Sequence, residues 1–179
     1  DQVSLTTAQV RALTTAQIVA LDTTDIQTFT SSQFVALSTA QLRAMETADL
    51  AAITTAQVSA MLQQLSSSTD LSALKGCDLV VEAIVERLDI KKAFFAELEG
   101  LVQPSAVLVT NTSSLSVTAI ASALKRPEQF AGYHFFNPVP LMKVVEVIAG
   151  IKTNPSICQD LAQFATQMGH KAVQAQDTP

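Results

Sequence analysis

The chain has 179 residues, a formal net charge of −5 and 48% hydrophobic residues, which predicts a soluble globular protein of one or two domains. Its basic residues are scattered rather than clustered, so neither a nucleic-acid partner nor binding to an anionic membrane is expected. No apolar run reaches the roughly 20 residues that span a bilayer, and the start at Asp1 lacks a signal-peptide pattern, so a cytoplasmic location is expected.

Residues 5–62 repeat an eight-residue unit, first as LTTAQVRA and then as LTTAQIVA. Each unit begins with one apolar residue and carries a second one five residues later. The first column comprises Leu5, Leu13, Leu21, Phe29, Leu37, Met45, Ile53 and Met61, and the second comprises Val10, Ile18, Ile26, Phe34, Leu42, Leu50 and Val58. About seven units are legible, and such short-period self-similarity indicates a repeat architecture.

A helix-start signal accompanies each unit. Thr6 can cap a helix, Gln9 can return the hydrogen bond, and Leu5 can pack on Val10, which is a capping box with a hydrophobic staple. The same pairing recurs at Thr14/Gln17, Asp22/Asp25, Thr30/Gln33, Ser38/Gln41 and Thr54/Gln57, and it is weaker at Glu46/Asp49. A new helix is therefore predicted in every unit.

The period decides how these helices are arranged. A single long helix is disfavoured, because eight residues advance a helix by about 80° beyond two turns and each column would spiral around it. A strand is disfavoured because the two columns would fall on opposite pleats. If the chain turns at each cap, the columns stack, which predicts an all-α solenoid of very short helices as a first domain, residues 1–65. The alternative is a disordered low-complexity segment, although regular apolar columns are untypical of disorder.

From about Ser66 the period ends, and a second domain is predicted over residues 66–179. The apolar patterns predict a fully buried strand at 77–86 and further strands at 106–114, 130–136, 142–150 and 171–176. Helices are predicted at 88–102, 117–124 and 156–169, the last with Asn154 as its cap and Pro155 in its first turn. Alternating strands and helices predict an α/β layer with a mostly parallel sheet.

Four stretches of this half are familiar. The segments DLVVEAIVERLDIKKAFFAELE, TNTSSLSVTAIA and QFAGYHFFNPVPLMKVVEVI, with the closing DTP, resemble the NAD-binding domain of the 3-hydroxyacyl-CoA dehydrogenases over roughly residues 70–179. The resemblance implies a partial Rossmann-like domain, NAD as cofactor, an acyl-CoA substrate and a place in fatty acid metabolism. In that family, the 3-hydroxyl carbon of the substrate loses a hydride while a histidine takes the hydroxyl proton.

The resemblance also implies roles for individual residues. His134 corresponds to the catalytic base, Glu146 to the carboxylate that orients it, and Ser113 to the group that hydrogen-bonds the reacting oxygen. The cofactor-side and pocket positions are Glu86, Lys91, Asn111 and Asn137. From the residues alone, His134 would more often be a core histidine, and His170, after Gly169, a charge at a helix end. Cys77 and Cys158 lack the spacing of metal ligands, so no metal site is expected.

The dinucleotide fingerprint of such a domain is missing. The five glycines are Gly76, Gly100, Gly132, Gly150 and Gly169, so no GxGxxG occurs. Without that turn, no backbone amides hold the cofactor pyrophosphate, and NAD binding is expected to be weak or absent. The chain also ends at Pro179, where the family continues into a helical domain. We therefore expect a fragment or chimera of a dehydrogenase that is inactive as this chain.

Three functional hypotheses remain open at this level. The first is the dehydrogenase fragment, the second is a structural or protein-interaction module built on the repeat, and the third is an enzyme whose cofactor loop comes from another chain. The strand around 78–86 is expected to be an apolar sheet edge. It would pair with a second copy of the chain, giving a homo-oligomer, or be covered by the solenoid.

Overall fold

A computed structural model describes residues 5–45, 47–139 and 141–177 of the chain. The chain divides into two units, one ending at Ser67 and the other beginning at Ser68.

Seven short helices form the first unit, and they restart at the predicted points. They are α1 (Thr7–Ala12), α2 (Thr15–Val19), α3 (Thr23–Thr28), α4 (Ser31–Val35), α5 (Thr39–Ala44), α6 (Thr47–Ala51) and α7 (Thr55–Leu62). The six strong capping boxes are confirmed at α1, α2, α3, α4, α5 and α7. In α1, for example, Gln9 N donates to Thr6 Oγ1 at 3.2 Å and Thr6 N donates to Gln9 Oε1 at 2.8 Å. The weaker pair involves Glu46, which lies outside the described residues.

Each helix packs on the helix three places further along the chain. The pairs are α1 with α4, α2 with α5, α3 with α6, and α4 with α7. This stacking buries the middle part of the predicted columns in one cluster that includes Val10, Ile18, Phe29 and Phe34. The chain leaves the helix at the end of each unit and restarts at the next cap, so both columns can contribute to one core.

The capping glutamines have a second role that the sequence analysis missed. Gln41 Nε2 donates to the backbone oxygens of Val10 and Leu13, both at 2.8 Å. Gln57 Nε2 donates to those of Ile26 and Phe29, at 3.0 and 2.9 Å. Both side chains are buried. Each of these glutamines therefore closes its own cap with Oε1 and joins its helix to an earlier part of the repeat with Nε2.

The second unit is a Rossmann-like α/β layer. Its strands are β1 (Leu79–Glu82), β2 (Val107–Thr110), β3 (Phe130–Phe135), β4 (Val144–Ala149) and β5 (Lys171–Gln176), and its helices are α8 (Leu88–Leu101), α9 (Val117–Ala121) and α10 (Pro155–Gln167). The strands form one sheet in the order β1-β2-β3-β4-β5. Every neighbouring pair is parallel except β3 with β4, so the predicted mostly parallel sheet is confirmed.

Alternating side chains of the strands fill two cores. Phe130 packs in a cluster with Phe95 and Leu98 of α8 and Ile120 of α9. Tyr133 packs on the opposite face in a cluster with Leu161 of α10. Asn154 caps α10 as predicted, accepting a hydrogen bond from Ser156 N at 3.0 Å.

The predicted fully buried strand at 77–86 is wrong in length and burial. Its regular part is only Leu79–Glu82, and Val81 is 43% exposed. Ile84 N donates to the Glu82 carboxylate at 2.5 Å rather than to a neighbouring strand, so pairing stops there. β1 is an outer strand, and α10 packs on β3, β4 and β5, which leaves Val81 exposed. Among the described residues, no helix is long and apolar enough to cross a membrane.

Candidate active site

Most of the predicted site residues lie where the parallel strands end. The loop after β1 carries Glu86, and the loop after β2 carries Asn111 and Ser113. The carboxyl ends of parallel strands are where α/β folds bind ligands, because the loops there converge on one edge of the sheet. β3 runs parallel to β2 and brings His134 to the same edge.

A buried ion network lies under the first loop. Lys91 Nζ is 2.6 Å from Glu82 Oε1 and 3.4 Å from Glu86 Oε2. The side chains of Lys91 and Glu82 are 1% and 0% exposed, and Thr110 Oγ1 donates to Glu82 Oε2 at 2.7 Å. Burying a charge is costly unless it is paired and hydrogen-bonded, and here both ions are. Glu82 was missed from the sequence, although an acid at the end of an apolar strand was a signal for it.

Glu86 joins the two loops. Its Oε1 accepts hydrogen bonds from Thr112 Oγ1, from Ser113 N at 3.0 Å and from Ser114 N at 3.3 Å. Burial raises the pKa of this carboxyl, but the hydrogen bonds from Thr112 and Ser113 and the charge of Lys91 outweigh burial, so the pKa lies below its ordinary value. The ionised carboxylate therefore holds the loop that presents Ser113.

His134 and Glu146 face each other across two antiparallel strands. They are direct partners in the β3–β4 register, and His134 Nδ1 lies 2.8 Å from Glu146 Oε2. Because a carboxylate only accepts hydrogen bonds, Nδ1 donates and Nε2 is left as the basic nitrogen. Nε2 has no hydrogen-bond partner among the described residues. The Phe136 ring lies 4.6 Å from the imidazole, centroid to centroid, and limits its movement.

A cleft of about 260 Å³ lies between Ser113 and Glu146. It is lined by residues 112–117 of the loop after β2, by Glu146 and by Asp177. Ser113 and Glu146, the partner of His134, therefore line the same cleft. A larger cleft of about 370 Å³, between β5 and α10, contains none of the predicted residues.

Asp177 supports the wall of this cleft and was not assigned a role from the sequence. Its carboxylate accepts hydrogen bonds from Ser116 Oγ at 2.7 Å, Val117 N at 3.1 Å and Thr118 N at 2.7 Å, all at the start of α9. The remaining two residues of the closing DTP lie outside the described residues.

The two predicted asparagines differ in their surroundings. Asn111 Oδ1 accepts a hydrogen bond from Phe135 N at 2.8 Å and so ties the end of β2 to the end of β3. Asn137 is exposed just after β3, before a cis Asn137–Pro138 peptide bond. Asn111 is therefore a structural residue of the edge as well as a candidate pocket residue.

His170 lies just after the end of α10, as the sequence predicts, and its charge stays a prediction. Its ring packs edge-on against Phe135 with centroids 5.8 Å apart, and both ring nitrogens are buried without a hydrogen-bond partner among the described residues. Its backbone N–H completes the end of α10 by donating to Ala165 O at 2.9 Å, after Gly169 at φ 79°.

The family model described as 3-hydroxyacyl-CoA dehydrogenase, NAD binding domain, matches residues 4–178. The chain belongs to this family. Among curated relatives, it is 47% identical over 118 residues to 3-hydroxyadipyl-CoA dehydrogenase of Escherichia coli (strain K12), which is 66% of this chain and 25% of that protein. It is 44% identical over 119 residues to the mitochondrial hydroxyacyl-coenzyme A dehydrogenase of Sus scrofa, which is 66% of this chain and 38% of that protein.

Solved structures of the dehydrogenase family agree with this assignment. The crystal structure of 3-hydroxybutyryl-CoA dehydrogenase from Escherichia coli K12 superposes with a TM-score of 0.67 at 44% sequence identity. The match covers 71% of this chain and 27% of that chain. The chain spans less than half the length of the curated relatives it matches.

The described residues fit only part of an NAD site. Glu86, Asn111 and Ser113 lie in the loops that follow β1 and β2, at the sheet edge where α/β folds bind ligands. A pyrophosphate needs a glycine turn that exposes backbone N–H groups, and the loops after β1 and β2, residues 83–87 and 111–116, contain no glycine. These two loops therefore do not fit the pyrophosphate side of an NAD site.

Proposed function

We propose that this chain carries the proton-transfer and nicotinamide-side part of an NAD-dependent 3-hydroxyacyl-CoA dehydrogenase, and that it is inactive as it stands. The observation that carries the proposal is the 2.8 Å contact between His134 Nδ1 and Glu146 Oε2, beside the cleft that Ser113 lines. This pair has the geometry of a general base with an orienting carboxylate.

Each residue has a defined task in this reaction. Nε2 of His134 takes the proton of the 3-hydroxyl group of an acyl-CoA, and Glu146 stabilises the imidazolium that forms. Ser113 Oγ hydrogen-bonds the reacting oxygen, while Asn111 and Asn137 line the pocket. NAD, when bound, accepts the hydride. Glu86 and Lys91 stand on the cofactor side, and the buried Glu82 holds Lys91 in place.

The proposed inactivity rests on the missing phosphate cradle. The GxGxxG turn is absent, and between residues 5 and 78 the described part of the chain contains helices where a doubly wound domain has strands. We therefore interpret the protein as a fragment or chimera, with a repeat solenoid at 1–65 joined to an incomplete dehydrogenase-like domain at 66–179. NAD affinity is then weak, because the pyrophosphate contributes much of dinucleotide binding.

A fluorescence titration with NADH and an acetoacetyl-CoA reduction assay test this proposal on the full chain. We expect no saturable binding at micromolar NADH and no turnover above that of the His134→Ala variant. Micromolar NADH binding or turnover that depends on His134 would contradict the inactivity. The site itself is tested by the ¹⁵N resonances of His134, which should report the Nδ1-protonated tautomer in the wild type and lose that preference in Glu146→Ala.

A structural or protein-interaction module is the second candidate function. The observation that favours it is the stacked repeat, in which capping boxes recur at six of the described helices and Gln41 and Gln57 bond to earlier units. If the His134 tautomer is the same in the wild type and in Glu146→Ala, the dehydrogenase-like site loses its support and this candidate is favoured. We also propose that the apolar edge around residues 78–86 contributes to a homo-oligomer, because β1 leaves one side of its backbone unpaired in the described sheet.

A further inference from the structure

Inside the α1–α7 stack, the two apolar columns of neighbouring helices are buried against each other. Three consecutive helices make one coil: α1–α3 form the first coil and α4–α6 the second. The second-column side chains of the first coil are 0% exposed at Val10, Ile18 and Ile26. The first-column side chains of the second coil are at most 7% exposed, at Phe29, Leu37 and Met45. Each coil thus buries its second column against the first column of the next coil.

At the two ends of the stack this burial is incomplete. Within the described part of the stack, one end has no first column packed on it, and the other has no second column. At the far end, formed by α5, α6 and α7, the second-column residues Leu50 and Val58 are 45% and 42% exposed. At the near end, formed by α1, α2 and α3, the first-column residues Leu5, Leu13 and Leu21 are only partly buried. One end therefore presents an open second column and the other an open first column.

Hydrogen-bonding groups at the ends are complementary as well. Gln9 and Gln17 at the near end are exposed, and their Oε1 atoms are used in capping boxes. Their Nε2 atoms have no acceptor among the described residues, unlike those of the buried Gln41 and Gln57. In the sequence, the eight-residue glutamine series ends at Gln57, because the next two positions are Leu65 and Ala73, which have no side-chain donor.

We propose that the repeat unit stacks head to tail on a second copy of this chain, with α1, α2 and α3 of one copy on α5, α6 and α7 of the other. The internal spacing then places Gln9 of one copy at the carbonyls of Phe34 and Leu37 of the other. It places Gln17 at the carbonyls of Leu42 and Met45. This reproduces the contact that Gln41 makes with Val10 and Leu13 within one chain.

A second copy of the chain carries the groups that match these two ends. Its near end supplies both the first column and the amide donors at the spacing that the far end lacks. The contact joins two different surfaces, so it leaves one end of each kind open and can continue. It does not depend on the dehydrogenase-like site, which lies in the other unit.

Sedimentation velocity of the full chain over a range of concentrations tests the proposal. The near-end variant is Gln9→Glu/Gln17→Glu, which keeps the capping oxygens but turns a carboxylate toward the carbonyls of the second copy. The far-end variant is Leu50→Glu/Val58→Glu. In a Val81→Lys background, which removes pairing at the sheet edge, the parent chain should grow beyond a dimer with concentration, and each end variant alone should stay monomeric. An equimolar mixture of the two variants should form dimers and nothing larger, since one intact end of each kind remains.

Two control variants place the same charges outside the two ends. Gln27→Glu and Val19→Glu make the same chemical changes at exposed positions between the columns and should associate like the parent chain. Circular dichroism checks that each variant keeps its helices, and Val58→Lys replaces the far-end variant if that one unfolds. A monomeric parent chain at all concentrations, or a mixture that stays monomeric, overturns the proposal. So does an assembly that Val81→Lys disperses and the end variants leave intact, which would belong to the sheet edge.

Discussion

Glutamine at the third helical position shows how one side chain can serve two parts of this fold. Its oxygen accepts a hydrogen bond inside its own unit, and its amide nitrogen donates to backbone oxygens about 30 residues earlier, as in Gln41 with Val10. Glutamate would serve the first bond equally well but not the second. The contact between coils therefore explains why Gln41 is a glutamine rather than a glutamate.

Gln41→Glu should lower the free energy of unfolding by about 2 kcal/mol, because a carboxylate would face the carbonyls of Val10 and Leu13 without a donor. Gln27→Glu, at an exposed position, should change it by less than about 0.5 kcal/mol. Urea denaturation followed by circular dichroism compares the two variants. Equal stability of Gln41→Glu and Gln27→Glu would contradict the role of the amide nitrogen.

Asp177 is a charged cap for a helix that lies far from it in sequence. Burial raises the pKa of its carboxyl, but hydrogen bonds from Thr118, Ser116 and Val117 outweigh burial and lower the pKa below its ordinary value of 3.8. A pKa that is lower in the folded state gives stability that is complete above the unfolded-state value and is lost as the pH falls through the folded-state value.

Asp177→Asn should therefore cost about 1 kcal/mol at pH 7 and flatten the acid end of the stability profile. Thermal melts between pH 7 and pH 3 measure both effects. The melting temperature of the wild type should fall to that of the variant only below about pH 4. A difference that persists unchanged to pH 3 would contradict the assignment.

Gly132 lies where β4 and α9 come very close to β3. A Cβ added at Gly132 in β3 would lie 2.9 Å from Ile148 Cβ of β4 and 2.9 Å from Val117 Cγ2 of α9. Real Cβ atoms essentially never come so near, so strand and helix pack at a distance that only glycine permits. At Gly100 in α8, an added Cβ meets nothing within 4 Å.

Opposite effects are expected from the same substitution at these two glycines. Gly132→Ala should destabilise the protein by about 1 to 3 kcal/mol through overpacking. Gly100→Ala should stabilise it by up to about 1 kcal/mol, because alanine is the better helix former. Chemical denaturation of both variants tests this, and a neutral Gly132→Ala would show that β4 and α9 can move apart.

The two outer strands of the sheet differ in character at the scale of the whole molecule. β1 exposes Val81 and is followed by the exposed Ile84 and Val85. β5 is polar, with Lys171, Gln174 and Gln176 along it. Exposed apolar edges favour pairing with other chains, whereas charged and polar edges oppose it.

Val81→Lys should therefore reduce self-association at the sheet edge while leaving the fold stable, since Val81 is 43% exposed. Val173→Lys, at a position of β5 that is 42% exposed, is the matched control and should have little effect. Light scattering at increasing concentration measures both. Equal behaviour of the two variants would exclude β1 as an association edge.

Parts of the site could be predicted because the family motifs are continuous in sequence. His134, Glu146, Ser113 and Glu86 were all named from them, and the structure pairs His134 with Glu146 and places Glu146 and Ser113 in one cleft. Glu82 and Asp177 were missed, because their roles depend on Lys91 and on the start of α9, which approach them only in the folded chain. The buried ring of His170 was missed for the same reason.

The sequence by itself determined where each short helix begins, because a capping box links residues only three apart and an apolar column needs only a period. It also determined the α/β character of the second half, since strand and helix patterns are local. Only the tertiary structure decided which helix stacks on which, that the strand from Leu79 ends at Glu82, and that His134 faces Glu146. Those facts depend on contacts between distant residues, whose free energies are set by the packing of whole elements.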